Sequence, residues 1–302
     1  MKYDVAVLGS INLDVKALVK QYPAYGATAT ARDIQMLPGG KGANQAVAVA
    51  KLGGKLAFMG AIGNDGAGNQ MIANLQANHI DTQFIVRKND IGTGTFIVLL
   101  DSQGENTMVG TLGANGALTR QEVAQAMAKI DAPVLLLQME TSRESVLTAL
   151  QEAKRKGMFV ILDPAPADNF FEEALKYADC VTPNQQETEK ITGIAVHTQE
   201  DAEKAAKMIA QKGVPNVIVK MGSVGNVVYH QNQLDFVPAT KVRAVDTVGA
   251  GDTFAGAMAT HYAHHRDLLA AVEFGNAAAS IKVSRTGGQK SIPTLAEMTQ
   301  LV

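Results

Sequence analysis

The sequence predicts an α/β protein: a three-layer αβα sandwich around a mostly parallel sheet, with a small β-sheet lid formed by two excursions of the chain. Three observations carry that prediction. Short aliphatic runs alternate with alanine-rich helical stretches along most of the 302 residues. The runs are apolar throughout, as strands are when helices cover both faces of a parallel sheet. Two segments, about 13–37 and 92–112, break the rhythm with threonine, valine and turn residues.

In chain order, the strand candidates are "YDVAVLG" (3–9), "KLAFMG" (55–60), "PVLLLQ" (133–138), "MFVILD" (158–163), "DCVTP" (179–183) and "NVIVKMG" (216–222). Helical periodicity falls at 41–52, 65–78, 119–129, 143–156 and 198–212. Such βα alternation favours helices packed on both faces of one sheet. "GTFIVLLD" and "NTMVGTLG", joined by "SQGEN", read as a β-hairpin, and "VVYH" with "LDFVP" as another. Residues 251–265 and 267–284 read as two adjacent helices after a glycine turn. No linker or repeat divides the chain, so 1–302 reads as one domain, its lid made from the two excursions.

Composition narrows the function classes. Hydrophobic residues make up 46% and charged residues 19%, with a formal net charge of -2. That balance argues against a polyanion-binding surface, and no basic tract interleaves with aromatics, so nucleic acid is not an expected partner. One cysteine, Cys180, cannot form an internal disulfide or supply a thiolate-rich zinc site. The start, "MKYDVAVLGSINLD", lacks the apolar run of a secretory signal, and no segment has the length of a membrane span. The expectation is a cytoplasmic protein with no membrane partner.

Four glycine-rich stretches stand at predicted helix starts: "GGKGANQ" (39–45), "GNDGAGNQ" (63–70), "GSVGN" (222–226) and "GAGDT" (249–253). Helix starts offer unpaired N–H groups to anions, and glycine permits close approach. No Walker A pattern is present, and "GSINLD" is not a dinucleotide fingerprint. "GNDGAG" reads first as an ordinary helix cap. "AVDTVGAGDTFAGAM" (244–258) places Asp246 and Asp252 on either side of small residues, with no lysine adjacent in sequence. Two readings of Asp252 stand side by side: a carboxylate that caps the helix, or one that accepts a proton from an attacking hydroxyl. A carboxylate beside an anion-attracting helix end repels phosphate unless it has chemistry to do, and phosphoryl transfer supplies such chemistry. "HYAHHR" spaces His261, His264 and His265 along a helix without acidic or thiol ligands nearby, which fits a solvent-facing helix end better than a metal site. "DPAPAD" (163–168) reads as a rigid turn after a strand that could line a site.

"GGKGANQAVAVAKLGGKLAFMGAIGNDGAG" and "DTVGAGDTFAGA" together resemble the two signatures of the PfkB family of carbohydrate kinases, and the likeness runs from "GSINLD" to "GGQKSIP". The resemblance implies an enzyme that moves the γ-phosphoryl of ATP to the 5-hydroxyl of D-ribose. Other members act on deoxyribose, fructose, a nucleoside or a keto-sugar acid, and a non-catalytic sugar-binding regulator on the same fold is a further alternative. By position, the resemblance assigns sugar hydroxyls to Asn12, Asp14, Gly40, Lys41, Asn44 and Glu140. It makes Asp252 the base and the amides of Gly249, Ala250 and Gly251 the anion hole. It places Asn184, Glu187, Lys220, Gly222, Gly225 and Asn276 at the nucleotide, with Lys220 and Asn276 departing from the usual residues of its adenosine end. It implies Mg2+ with ATP, reached by Glu187 through water. It also implies a potassium-like activator held by Asp246 and the carbonyl of Val248, with Lys282, Arg285, Gly287 and Ser291 as carbonyl or hydroxyl candidates. Exposed lid edges, and the family habit, imply a homodimer through the lid.

Overall fold

The computed structural model describes residues 2–103 and 105–299. Nine strands form the large sheet: β1 (Val5–Leu8), β4 (Leu56–Gly63), β5 (Ile85–Lys88), β8 (Val134–Leu137), β9 (Phe159–Leu162), β10 (Cys180–Val181), β11 (Asn216–Lys220), β12 (Gly225–His230) and β13 (Gln233–Pro238). Their spatial order is β13-β12-β11-β10-β9-β8-β1-β4-β5. Every pair from β5 across to β11 is parallel, and the hairpin β12–β13 closes one edge antiparallel. All six anticipated strand runs are present, five of them shorter than their apolar stretch and β4 running three residues beyond its own, to Gly63.

The apolar-throughout character of the strands has its reason in two cores. Val5 and Val7 of β1 face one side with Phe58 and Leu136, whereas Ala6 and Leu8 face the other with Met59 and Leu135. The first side is covered by α1 (Lys41–Lys51), α2 (Gly66–Ala77), α7 (Ala250–His265) and α8 (Leu268–Val283), through residues such as Val47, Met71, Phe254 and Val272. The second is covered by α3 (Arg120–Lys129), α4 (Arg143–Arg155), α5 (Gln185–Thr192) and α6 (Gln199–Gln211), through Val123, Val146, Ile191 and Ala202. A side chain exposed on either face would strand apolar area in water, at about 25 cal/mol per Å².

A second sheet of four strands stands apart from the first. Its order is β3 (Asp33–Gly39), β2 (Asn12–Leu18), β6 (Gly94–Leu100) and β7 (Asn106–Thr111). The hairpin expected of "GTFIVLLD" and "NTMVGTLG" is β6–β7, antiparallel with Thr95 opposite Thr111. Its turn includes residue 104, which lies outside the described residues. The excursion expected over 13–37 is only partly strand, because residues 19–32 connect β2 to β3 without regular structure.

Three elements were not anticipated. β5 is a short edge strand with a mixed sequence, α5 is dominated by polar side chains, and α9 (Leu295–Thr299) is a single turn. Among the described residues no helix is long and apolar enough to cross a membrane.

Candidate active site

The site gathers beyond the carboxyl ends of the parallel strands, where open α/β sheets bind their ligands. Asn12, Glu140, Asp163, Asn184 and Lys220 all follow or close such strands. One close approach sets the geometry. A Cβ on Gly42 would lie 2.4 Å from the carbonyl carbon of Gly9, so α1 can begin hard against the end of β1 only because both positions lack side chains. Gly40, at φ 90°, turns the chain into that helix in a conformation that other residues rarely adopt.

Asp252 sits in the first turn of α7, and its carboxylate does not cap that helix. Gly249, at φ 78°, occupies the N-cap position, and no side chain caps the helix. The Asp252 carboxylate instead accepts hydrogen bonds from Asn44 Nδ2 at 2.8 Å and Gln45 Nε2 at 3.3 Å, both on α1. It is 7% exposed. Burial raises its pKa, and the Lys41 ammonium and the Asn44 amide oppose the rise. Such a carboxylate is oriented by two amides and takes up a proton more readily than a solvated aspartate, while of the neighbouring amides that of Ala250 donates to Thr247 O at 3.2 Å. By contrast, "GNDGAG" is the cap it was read as: Asp65 accepts from Gly68 N at 2.7 Å and from Thr93 N at 2.8 Å.

The residues expected at the sugar converge on the same end of α1. Glu140 accepts from Ser10 Oγ and, at 3.3 Å, from Lys41 N. Asp14 lies where a Cβ on Gly39 would strike its carboxylate. Burial, and then the charge of Glu140, push Asp14 up to about 6. Lys41 is pushed up to about 12: burial works against its charge, but Asp252 and Glu140 outweigh it. Asn12 is buried, its Oδ1 held at 2.8 Å by Asn115 Nδ2, and Asn115 Oδ1 in turn accepts from Ile11 N at 2.9 Å.

On the other side, Asn184 and Glu187 form the capping box of α5. Glu187 Oε2 accepts from Asn184 N, and Oε1 from Asn184 Nδ2, both at 2.8 Å. Burial raises the pKa of Glu187, against the pull of Lys220. Lys220 corrects the reading that lysine is absent from the helix start. Its ammonium stands 3.8 Å from where a Cβ on Gly251 would be, and bonds Asp163 Oδ1 at 3.0 Å. Its ammonium therefore lies beside the first turn of α7. Burial opposes its charge, yet Asp163 and Glu187 hold its pKa above the usual lysine range. Asn276 is tied to Asn226 Nδ2 at 2.6 Å and to the Pro238 carbonyl at 3.2 Å. Gly222, at φ 59°, has open space around its missing Cβ, whereas a Cβ on Gly225 would meet Val237 O at 2.5 Å.

The residues expected at a cation lie together around the segment before α7. Asp246 Oδ1 accepts from Val248 N at 3.0 Å. Lys282 enters through its side chain instead of its carbonyl: Nζ donates to Asp246 O at 2.8 Å, and its carbonyl accepts from Arg285 N at 3.2 Å. The Arg285 side chain pairs with Glu297 at 2.8 Å, Ser291 Oγ donates to Gly288 O at 2.7 Å, and Gly287 holds a φ of 118°.

Three polar residues of the site were not singled out in the sequence, Gln45, Asn115 and Gln289, and Asp163 was read only as part of the "DPAPAD" turn that could line a site. Asp163 accepts from Gln45 Nε2 at 2.9 Å, and Gln289 Nε2 donates to Asn44 Oδ1 at 2.9 Å. Asp163 closes a strand at its carboxyl end, which was a usable signal. Gln289 offered none.

This fold and this constellation define a phosphotransferase site. Residues 2–295 match the model of the pfkB family carbohydrate kinases, and the chain belongs to that family. It is 38% identical to a ribokinase of Haemophilus influenzae over 100% of this chain and 99% of that one. It is 34% identical to a deoxyribokinase of Salmonella typhi, over 98% of each chain. A solved structure of Arabidopsis thaliana ribokinase complexed with ribose and ATP superposes with a TM-score of 0.91 at 30% identity, covering 100% of this chain and 99% of that one.

Proposed function

We propose that the chain transfers the γ-phosphoryl of ATP to the 5-hydroxyl of D-ribose, giving ribose 5-phosphate and ADP. The observation that carries this reading is the buried Asp252 carboxylate, turned from its own helix start toward α1. Asp252 takes the hydroxyl proton as the sugar oxygen attacks the γ-phosphorus, and the bond to the β–γ bridging oxygen breaks toward ADP. Charge spreading over the transferred group meets the amides of Gly249, Ala250 and Gly251 and the ammonium of Lys220, placed before the reaction begins. The relatives named for ribose, and the ribose complex among the similar structures, support the choice of sugar.

Asn12, Asp14, Asn44 and Glu140 supply amides and carboxylates to sugar hydroxyls, with Gly40 and Lys41 closing the turn over them. A site of this kind penalises a missing hydroxyl heavily. Asn184, Glu187, Gly222, Gly225 and Asn276 are assigned to the nucleotide. The acid available to Mg2+ is the buried Glu187 carboxylate at the start of α5. That suits an ion carried by phosphates and water, with Glu187 reaching its water shell. When bound, Mg2+ would neutralise charge on the phosphates.

The test is a panel of ribose, 2-deoxyribose, fructose and a nucleoside, with ATP consumption and calorimetric affinity read from pH 5 to 8. Ribose should rank first. Because Asp14 titrates at about 6 and sugar hydroxyls donate to its ionised form, ribose affinity should weaken as pH falls through 6. The loss should approach about tenfold per pH unit below that point, as proton linkage requires, and Asp14→Asn should flatten the profile. Deoxyribose ranking first would replace the substrate, and no ATP consumption with any sugar would return the chain to a binding role.

The small sheet is proposed as a lid and as the interface of a homodimer. Met36, Val15, Ile97 and Val109 form one row across its four strands. Met36 and Val109 are 60% and 70% exposed. Asp14 lies on the opposite face, toward the site. Apolar rows of this kind invite burial by a second copy. Sedimentation should give a dimer that Val109→Lys dissociates; a monomeric parent chain ends the proposal. The formal net charge of -2 gives the chain no general attraction for polyanions, in keeping with small-molecule substrates.

A further inference from the structure

A free potassium-like ion does not fit the residues gathered beside the helix start, and the misfit is specific. Such an ion needs several carbonyl and carboxylate oxygens turned toward it. Here the Asp246 carbonyl accepts from Lys282 Nζ at 2.8 Å, and the Asp246 carboxylate lies 3.8 Å from the same ammonium. The Lys282 carbonyl is committed to Arg285 N. The carbonyl of Val283 accepts both Val245 N at 2.7 Å and Asp246 N at 3.1 Å. Lys282 is fully buried, and its Cε comes within 4.0 Å of where a Cβ on Gly249 would stand. A buried ammonium already meets the Asp246 carbonyl and stands beside its carboxylate, and a second positive charge there would be repelled.

We infer that the Lys282 ammonium is a tethered resident cation, bracing residues 246–249 beneath the amide cradle in place of a free monovalent ion. The inference rests on the reading of that cradle as the phosphoryl site. α8 delivers the charge: Lys282 lies in its last turn, and α8 packs along α7. The lysine reaches across to the one segment that sets the φ of Gly249, and hence the aim of the amides. Burial draws its pKa below the usual lysine range, while Asp246 and Asp252 oppose the fall. Lys282 acts through the turn and is a positioning residue.

The experiment compares KCl, NaCl and choline chloride at equal ionic strength, for the parent chain and for Lys282→Met. With ribose and Mg-ATP, the parent should turn over at the same rate in all three salts. Lys282→Met should lose up to about a hundredfold in choline chloride, the order of one lost stabilising group at a developing anion, and KCl should restore part of that loss where choline does not. A readout independent of turnover accompanies it: KCl should leave the melting temperature of the parent unchanged relative to choline chloride and should raise that of Lys282→Met. A parent enzyme strongly stimulated by potassium overturns the inference, as does a variant unaffected in choline chloride or one that no cation rescues. Should the variant not fold, the salt series on the parent decides alone. Failure of the kinase reading would look different, as no turnover of ribose in any salt.

Discussion

An Asp252→Asn protein is expected to lose about 10²- to 10⁴-fold in kcat, the range that a positioned general base contributes, with sugar affinity nearly unchanged. The separation between the two effects follows from geometry. Asp252 accepts from two amides of α1, Asn44 Nδ2 at 2.8 Å and Gln45 Nε2 at 3.3 Å, and a carboxamide of the same shape can keep the shorter bond through its one oxygen while giving up the longer. Asn12, Asp14 and Glu140, which are assigned to the sugar, approach from β2 and the end of β8. The substitution removes proton acceptance from a buried site and leaves shape almost intact. Turnover and calorimetric ribose affinity, measured on the same preparation, check it. Near-normal kcat would remove Asp252 from the reaction, and a collapse of affinity would make it a binding group instead.

The second large effect is expected at Lys220. Lys220→Met leaves Asp163 buried without its ammonium partner, 3.0 Å away in the parent, with side chains 13% and 3% exposed. Breaking one side of such a pair costs about 3–5 kcal/mol of stability. The same change removes the ammonium beside the proposed anion hole, for a further loss of about 10²–10³ in kcat. The double variant, Lys220→Met with Asp163→Asn, separates the two. It should recover much of the stability in chemical denaturation, because neither charge is stranded, and recover little of the rate. Recovery of the rate along with the stability would show that Lys220 serves only the fold.

The sheet strands were readable because their chemistry is local. "PVLLLQ" and "MFVILD" are buried on both faces, and burial on both faces leaves no polar alternation in the sequence. β5 escaped because an edge strand need be apolar on fewer positions, and "IVRK" is mixed. α5 escaped for a related reason: "QQETEKIT" buries only Glu187, Thr188 and Ile191. Its Asn184–Glu187 pair could have announced a helix start by the capping-box spacing, yet it drew notice only as a nucleotide element. At the site, residues carrying a motif were found and residues supporting them were not. Asn44 and Asp252 stand in recognisable turns, whereas Gln45, Asn115 and Gln289 act by spatial neighbours up to 245 positions away. Lys282 shows the limit most clearly. Its place in the chain pointed to a carbonyl, and only the path of its side chain through the α7–α8 contact revealed an ammonium.

The joints of the small sheet have a mechanical consequence. β2 leaves β1 across only residues 9–11, and β3 runs through Gly39 and Gly40 straight into α1. Those same joints carry Asn12, Asp14 and Lys41, so the sheet cannot swing outward without drawing the Asp14 carboxylate away from Asp252. If the sheet serves as the proposed lid, grip on the acceptor and opening of its exit would be one coordinate, and release of a phosphorylated product would retrace the movement that seats the substrate.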